Sequence, residues 1–449
     1  MGRLFGTDGV RGIADLELTP ELAFKLGRAS ANVIRTEKQK KPVMLLGTDT
    51  RISRDMLSNA MTAGICSAGG SVVSAGIIPT PGIAFLTGMG GFDAGIVITA
   101  SHNSYEYNGI KFFNGNGMKL SDELEDRIEA LIFSDNDGMP VCTRTDTDAV
   151  MPDGSLQGIY EEFLCSTAET GLSGLKVILD CANGAASRIA PDVLKKLGVE
   201  LTCLNNEPDG MNINERCGST HIDILKSTVT PDTYDCAAAL DGDADRLLML
   251  DEKGNVIDGD QIMAIIALKL KKEGRLKKNT LVATVMSNLG LDIMAAKNSI
   301  VLVKTRVGDR YVLEEMQKND YNLGGELSGH IILRDRNTTG DGIITAIQIM
   351  SLMRITGAKL SELAKEIEIL PQVLLNARVD NIKKEMYYKD EIIYDKCMEL
   401  ENEMNGSGRV LIRPSGTEPL IRVMIEGRDL IYITEKARIL VRLIEERMK

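Results

Sequence analysis

No stretch of this chain approaches the about 18 consecutive apolar residues that a membrane-spanning helix needs. Its start, MGRLFGTDGVRG, lacks the apolar core of a secretory signal, and Gly6 stands where the myristoylation pattern requires Ser or Thr. A soluble, cytoplasmic protein is therefore expected. Positive charge is in deficit: 52 Lys and Arg against 64 Asp and Glu leave a net charge of −12. That balance opposes attraction to nucleic acid or to an anionic membrane, so neither is expected as a partner. The eight cysteines (Cys66, Cys142, Cys165, Cys181, Cys203, Cys217, Cys236, Cys397) are scattered, with no C-x-x-C pair. Neither a zinc site nor a disulfide framework is suggested, and they read as small buried thiols in a reducing compartment. Histidine is scarce, with three in 449 residues. One of them lies beside a serine in ITASHN, Ile98 to Asn103, directly after an apolar run, which raises the question of what that pair does.

With low-complexity tracts also missing, the chain reads as folded throughout, and its length suits three or four domains of roughly 100 to 200 residues each. One outline occurs three times: an apolar strand, a Gly- or Asn-bearing turn, a helix, and later an apolar strand that ends in a conspicuous polar loop. The first unit runs from VMLLGTDTR through DMLSNAMTAGICSAGG to AGIVITASHN; the second from LKVILDCANGA through SRIAPDVLKKLG to CAAALDGDADR; the third from LVATVMSNLG to NLGGELSGH. Alternating strands and helices predict α/β units with mostly parallel sheets, whose ligands gather at the strand C-terminal ends. After Pro371 the pattern becomes strand, helix, strand, strand, helix, and Ile433, Ala437, Leu440 and Ile444 share one face of the last helix. That predicts a separate α+β domain. The segment 134–154, rich in Asp with Pro and Gly, reads as a linker. The expected domains are 1–152, 153–254, 255–369 and 370–449.

The polar loops carry the chemistry. DGDADR sets Asp241, Asp243 and Asp245 two apart, and in extended chain all three would point to one side. Their mutual repulsion calls for a cation, and oxygen-only donors suit a hard one such as Mg²⁺. An EF-hand fits Asp241, Asp243, Asp245 and Glu252, but Arg246 stands where its turn needs Gly and a strand precedes it. A solvated acidic turn is the plainer alternative. In RPSGTEPLIR, Arg413 and Arg422 flank Ser415, Gly416 and Thr417; guanidinium forks and a Gly-containing nest make a phosphate clasp, where an S-G-T turn alone would be ordinary turn chemistry. GGELSGH alternates Glu326, Ser328 and His330, a set suited to sugar hydroxyls or equally a surface pair. Arg11 in FGTDGVRG and Lys111 in NGIKFFN are cations available to a phosphoryl group. A clasp, a metal loop and a sugar-like loop make Ser101 a nucleophile that carries a phosphoryl group. The rival is a serine hydrolase, but G-x-S-x-G is absent, and in extended chain His102 would point away from Ser101.

Together FGTDGVRG, ITASHN, DGDADR, GELSGH and RPSGTEPLIRVMIEG resemble the phosphohexose mutase superfamily, in order and over the whole chain. RLFGTDGVRGIA, TVMSNLGL, RVGDRYVLEEM, NTTGDGI and SGTEPLIRVM are most similar to its bacterial phosphoglucosamine mutases. The resemblance implies a four-domain, heart-shaped enzyme that interconverts glucosamine 6-phosphate and glucosamine 1-phosphate through a 1,6-bisphosphate, on the route to UDP-N-acetylglucosamine and cell wall. It implies a phosphoserine at Ser101, with Mg²⁺ held by that phosphate and by Asp241, Asp243 and Asp245. Arg246 would contact the phosphoryl group, Lys111 and His102 would move protons or stabilise charge, and Arg11 would be a further cation for substrate. Glu326, Ser328 and His330 would hold the sugar; Arg413, Ser415, Gly416, Thr417 and Arg422 would hold the phosphate that is not reacting. Three residues depart from the family pattern: Ser104 for Pro and Tyr107 for Asp in the serine loop, and Leu327 in the sugar loop, where Gln or Met is usual. A phosphoglucomutase/phosphomannomutase and a non-catalytic sugar-phosphate sensor are the alternatives, and the sequence leaves a homodimer open.

Overall fold

The three repeated outlines become three sheets built to one plan. The computed structural model describes residues 4–6, 8–134, 151–380, 383–415 and 418–448, so Cys142 and most of the expected linker lie outside the described residues. The first sheet holds β1 (Val10–Ile13), β2 (Val43–Thr48), β3 (Ser71–Ile77), β4 (Ala94–Ile98), β5 (Tyr107–Asn114) and β6 (Met151–Pro152), in the order β1-β5-β4-β2-β3-β6. The second holds β7 (Lys176–Asp180), β8 (Glu200–Leu204), β9 (Cys236–Leu240), β10 (Leu247–Asp251) and β11 (Val256–Ile257), in the order β11-β10-β9-β7-β8. In the third, β12 (Thr280–Thr284), β13 (Val301–Thr305), β14 (Leu323–Gly325) and β15 (Ile331–Leu333) run β13-β12-β14-β15.

In each sheet the first strand of the outline is central and pairs in parallel with the second and the third. The fourth then returns antiparallel beside the third: β5 on β4, β10 on β9, β15 on β14. The turn from third to fourth strand is the polar loop in every case, which is why ITASHN, DGDADR and GELSGH occupy equivalent places. The apolar runs follow from burial on both sheet faces: every residue of β4, β9 and β12 is buried.

The helices obey ordinary capping rules. Pro20–Lys38 starts at Thr19, whose hydroxyl accepts from Leu22 N, and has Pro at its first position. Its Leu26, Val33 and Ile34 join Leu57, Met61 and Ile65 of helix Arg54–Ser67 and strand residues Met44, Ile96 and Ile110 in one core, each large aliphatic contributing about 1.5–3 kcal/mol. Helix Gly342–Thr356 is apolar nearly all round because it is buried. Asp341 caps it, accepting from Ile343 N and Ile344 N at 3.0 Å each and from Tyr160 Oη at 2.8 Å. Burial pushes the Asp341 carboxyl up to about 6 despite those donors. Among the described residues no single helix is long and apolar enough to cross a membrane.

The chain groups into two compact units: Met1–Met286 with Ile300–Glu366, and Ser287–Ser299 with Ile367–Lys449. The second carries an antiparallel sheet of β16 (Gln372–Arg378), β17 (Gly408–Pro414) and β18 (Leu420–Gly427), with β18 central. Helices Glu391–Met404 and Leu430–Arg447 belong to the same unit, and Ile433, Ala437, Leu440 and Ile444 all reach zero exposure in its core, as their spacing predicted. The fold class is thus three related α/β domains followed by an α+β domain.

Candidate active site

Ser101 follows β4 in left-handed backbone, with φ of 51°, and is buried. Its Oγ donates to Asp241 Oδ2 at 2.7 Å and lies 3.3 Å from His102 Nδ1. The expectation that His102 points away is therefore wrong: it assumed extended chain, and the positive φ turns both side chains to one side. Burial and the cations Arg246 and Arg11 lower the His102 pKa to about 4, so the ring is neutral at pH 7.

Asp241, Asp243 and Asp245 do converge, with one ligand oxygen from each within 4.8 Å of the others, and all three are buried. Extended alternation is not what brings them together. Ala244 has a φ of 56° and its N–H bonds Asp241 O, so a tight turn folds the carboxylates inward. Gly242 lets this turn lie against the serine loop, where a Cβ would come within 2.5 Å of Ser101 O. Burial, Asp245 and Asp243 hold the Asp241 carboxyl well above the usual range. Burial also works against a charged Asp245, but His330, Lys111 and Arg246 hold that carboxyl far below it. Among the described residues Asp243 Oδ1 and Asp245 Oδ1 accept no hydrogen bond. Orphaned anionic oxygens of an all-carboxylate set fit a hard cation, so these residues could hold a metal ion.

Around the triad runs a ring of alternating charge that sequence reasoning largely missed. Lys111 Nζ sits 3.0 Å from Asp243 and 2.9 Å from Asp8; Lys119 Nζ sits 2.8 Å from Asp8 and 2.6 Å from Asp309. Burial disfavours both ammonium groups, but these carboxylates outweigh it and hold both pKa values well above the ordinary lysine value. His330 closes the ring, with Nδ1 3.4 Å from Asp245 and Nε2 3.7 Å from Asp309. Burial disfavours its imidazolium too, and Asp245 and Asp309 overcome that to raise its pKa. Gly340 N–H donates to His330 Nε2 at 3.1 Å; this nearer contact places the neutral ring's proton on Nδ1, towards Asp245. Thr80 Oγ1 donates to Asp243 Oδ2 at 2.7 Å. Nothing in the local sequence marks Thr80 or Lys119, whereas Asp8 and Asp309 stand inside quoted motifs.

A cavity of about 550 Å³ opens beside the ring, lined by Asp8, Arg11, Asp245, Arg246, Asp309, Glu326 and His330 among others. Arg11 is held by Asp8 at 2.6 Å, and Arg246 Nε lies 3.7 Å from Asp245. Glu326 accepts from Gly308 N at 3.0 Å. Gly329, at φ of 90° and with no room for a Cβ against Leu247 O, makes the turn between Glu326 and His330. Ser328, on that turn, is exposed and does not line the cavity.

The remaining candidates belong to the second unit. Arg413 and Arg422 are register partners on β17 and β18, so two guanidinium groups face each other across the pair. Like charges in that position repel unless an anion joins them. Arg422 is 3.8 Å from Glu418, and Arg413 has no ion-pair partner among the described residues. Ser415 Oγ accepts from Glu418 N at 3.3 Å, and buried Lys384, a residue with no sequence signal, binds Ser415 O at 2.7 Å. Gly416 and Thr417 lie outside the described residues.

Comparison with known proteins bears on the whole length. Residues 2–138, 154–254 and 258–369 match Phosphoglucomutase/phosphomannomutase alpha/beta/alpha domains I, II and III, and residues 374–442 match the C-terminal domain of that family. The phosphoglucosamine mutases of Acetivibrio thermocellus and Ruminiclostridium cellulolyticum are each 56% identical over 448 residues, covering 100% of both chains. Among solved structures, a phosphoglucomutase/phosphomannomutase family protein from Burkholderia thailandensis superimposes with a TM-score of 0.81 at 22% identity, covering 100% of this chain and 98% of that one. Aspergillus fumigatus N-acetylphosphoglucosamine mutase, in complex with GlcNAc-6P and magnesium, gives 0.72 at 18% identity, covering 99% and 96%. With four family domains in order and full-length relatives above half identity, the chain belongs to the phosphohexose mutase superfamily, within its phosphoglucosamine mutase family.

Proposed function

We propose that the chain interconverts glucosamine 6-phosphate and glucosamine 1-phosphate, with Ser101 as the phosphoryl carrier and glucosamine 1,6-bisphosphate as the intermediate. The observation that carries this reading is Ser101 Oγ at 2.7 Å from Asp241 in a triad whose Asp245 lines the cavity. Phosphoryl transfer depends on positioning and on neutralising the equatorial oxygens, and the site supplies both. Phosphoserine 101 gives its phosphoryl group to the free hydroxyl at one end of the sugar; the P–Oγ bond breaks as the new P–O bond forms, and the hydroxyl proton leaves. His102, neutral at pH 7 and 3.3 Å from Oγ, can take up that proton and, as the imidazolium, return it to Oγ when the P–Oγ bond breaks. Lys111 stays charged between Asp243 and Asp8, and with Arg246 it balances charge on the moving group. Asp241, Asp243 and Asp245 would hold Mg²⁺, which when bound would draw charge from the phosphoryl oxygens.

Glu326 and His330 orient the sugar from one wall of the cavity, Ser328 lies on the exposed turn between them, and Arg11 contributes a cation from another wall. Arg413 and Arg422, with Ser415, Gly416 and Thr417, bind the phosphate that is not reacting, because an anion between the two arginines removes their repulsion. Turnover in both directions, with glucosamine, glucose and mannose phosphates each given its bisphosphate, tests the assignment. Glucosamine phosphate is expected to lead in kcat/KM by at least about tenfold, with measurable activity on glucose 1-phosphate because Leu327 offers no side-chain hydrogen bond. A tenfold lead for glucose or mannose phosphate overturns it.

A further inference from the structure

Ser101 has a left-handed backbone, and its carbonyl oxygen accepts a hydrogen bond from the buried guanidinium of Arg51. We propose that Arg51 is a positioning residue for phosphoryl transfer: its guanidinium gathers the carbonyls of the serine loop so that Ser101 Oγ faces the aspartate loop. The inference rests on the reading of Ser101 as phosphoryl carrier.

Arg51 lies just past the end of β2 and, like its partner Asp49, has zero exposure. Its Nε donates to Asp49 Oδ2 at 2.9 Å, and its backbone N donates to Asp49 Oδ1 at 3.0 Å. Nη2 donates to Ser101 O at 3.1 Å and Asn103 O at 2.8 Å, and Nη1 donates to Ser104 O. Three carbonyls of one loop thus converge on one planar fork, a geometry that a lysine's point charge does not reproduce. Asp49 completes the hold from the other side: Thr99 Oγ1 donates to Asp49 Oδ2 at 2.7 Å and accepts from Ser101 N at 3.0 Å. Both ends of residue 101 are therefore tied to the Asp49–Arg51 pair, the N–H through Thr99 and the carbonyl directly. Asn214 Nδ2 adds donors to Ser101 O at 2.9 Å and Asn103 O at 3.0 Å.

Burying a cation and a carboxylate in full is costly, and in some proteins a pair kept under that cost fixes a unique arrangement. Here that arrangement is the positive φ of Ser101, which a residue bearing a Cβ leaves when its anchors go. Arg51 meets only Asp49 and loop carbonyls in these contacts, so its effect on the reaction passes through Ser101.

The test is Arg51→Lys in the full-length protein, assayed in steady state with glucosamine 6-phosphate and glucosamine 1,6-bisphosphate. Phosphorylation of Ser101 by the bisphosphate is timed separately by intact mass. Misplacing the nucleophile is expected to lower kcat and the phosphorylation rate together by about thirty- to a hundredfold, with KM within about threefold of wild type. Thr99→Val leaves the Arg51–Asp49 ion pair in place but removes both Thr99 hydrogen bonds, the one given to Asp49 Oδ2 and the one accepted from Ser101 N; its expected kcat loss is about tenfold at unchanged KM, and it decides the matter if Arg51→Lys does not fold. A folded Arg51→Lys protein with kcat within about threefold of wild type, or with its loss confined to KM, overturns the inference, as does a wild-type kcat for Thr99→Val where that variant decides. Ser101→Ala is run alongside. Turnover in Ser101→Ala removes the carrier reading itself, whereas an inactive Ser101→Ala beside a fully active Arg51→Lys removes only the role of Arg51.

Discussion

Asp243→Asn separates the metal's contribution from the fold's. In the metal-free protein Asp243 attracts Lys111 at 3.0 Å, worth about 5.5 kcal/mol at an effective dielectric of about 20. It also repels the Asp245 carboxylate, and Asp241 whenever that raised carboxyl is ionised, at about 3.5 kcal/mol each on the same basis. Loss of the attraction and relief of the repulsion nearly cancel, leaving about 1–2 kcal/mol of either sign. Thr80 keeps a hydrogen-bond acceptor in the amide oxygen, and Lys111 keeps Asp8. No such cancellation exists once a divalent cation is bound, because its attraction to that carboxylate is simply lost. A charge-assisted contact is worth about 1.5–3 kcal/mol at least, so the Mg²⁺ concentration for half-maximal activity should rise about ten- to a hundredfold. Thermal melting in chelator should shift by no more than about 5 °C. Activity titrated against Mg²⁺, with melting in chelator as the control, is the assay. An unchanged Mg²⁺ midpoint refutes the reasoning, and so does a metal-free protein that collapses, since the near-balance of charge would then be mistaken.

Arg413→Ala should raise KM for sugar phosphates about ten- to a hundredfold through loss of a charge-assisted phosphate contact, leaving the circular dichroism spectrum intact; an unchanged KM removes the clasp assignment. The buried Asp341 makes a pH prediction. Its folded pKa of about 6 lies above the ordinary 3.8, so between those values the unfolded chain has released a proton that the folded chain retains. Its contribution to stability is full below 3.8 and is lost by the time pH passes 6, a swing of about 3 kcal/mol. Asp341→Asn should therefore gain stability relative to wild type as pH rises from 4 to 7, read from urea midpoints, and a pH-independent difference contradicts this.

How much of this was legible in the sequence depended on whether the signal was local. The apolar runs of β4, β9 and β12 and the one-sided spacing of Ile433, Ala437, Leu440 and Ile444 are local patterns, and sheet and helix formed where those patterns stood. The polar loops were legible because each follows its strand directly. Backbone handedness was not: Ser101 and Ala244 carry a Cβ, and only the surrounding contacts hold them at positive φ, so both the aim of His102 and the route by which the aspartates meet were misjudged. Partners from distant segments left no trace either. Lys119 joins Asp8 to Asp309 across 111 and 190 positions, and Arg51 meets Ser101 across 50. Each is an unremarkable cation until the chain folds.

The central claim, that Ser101 carries the phosphoryl group, is tested most directly by mass. Protein incubated with glucosamine 1,6-bisphosphate and Mg²⁺ should gain one phosphoryl group, mapped to the peptide containing Ser101. Adding glucosamine 6-phosphate should remove it at a rate no slower than kcat, and Ser101→Ala should acquire no phosphate and lose nearly all turnover. Wild-type turnover in Ser101→Ala, or phosphate mapped to another residue, would contradict the account.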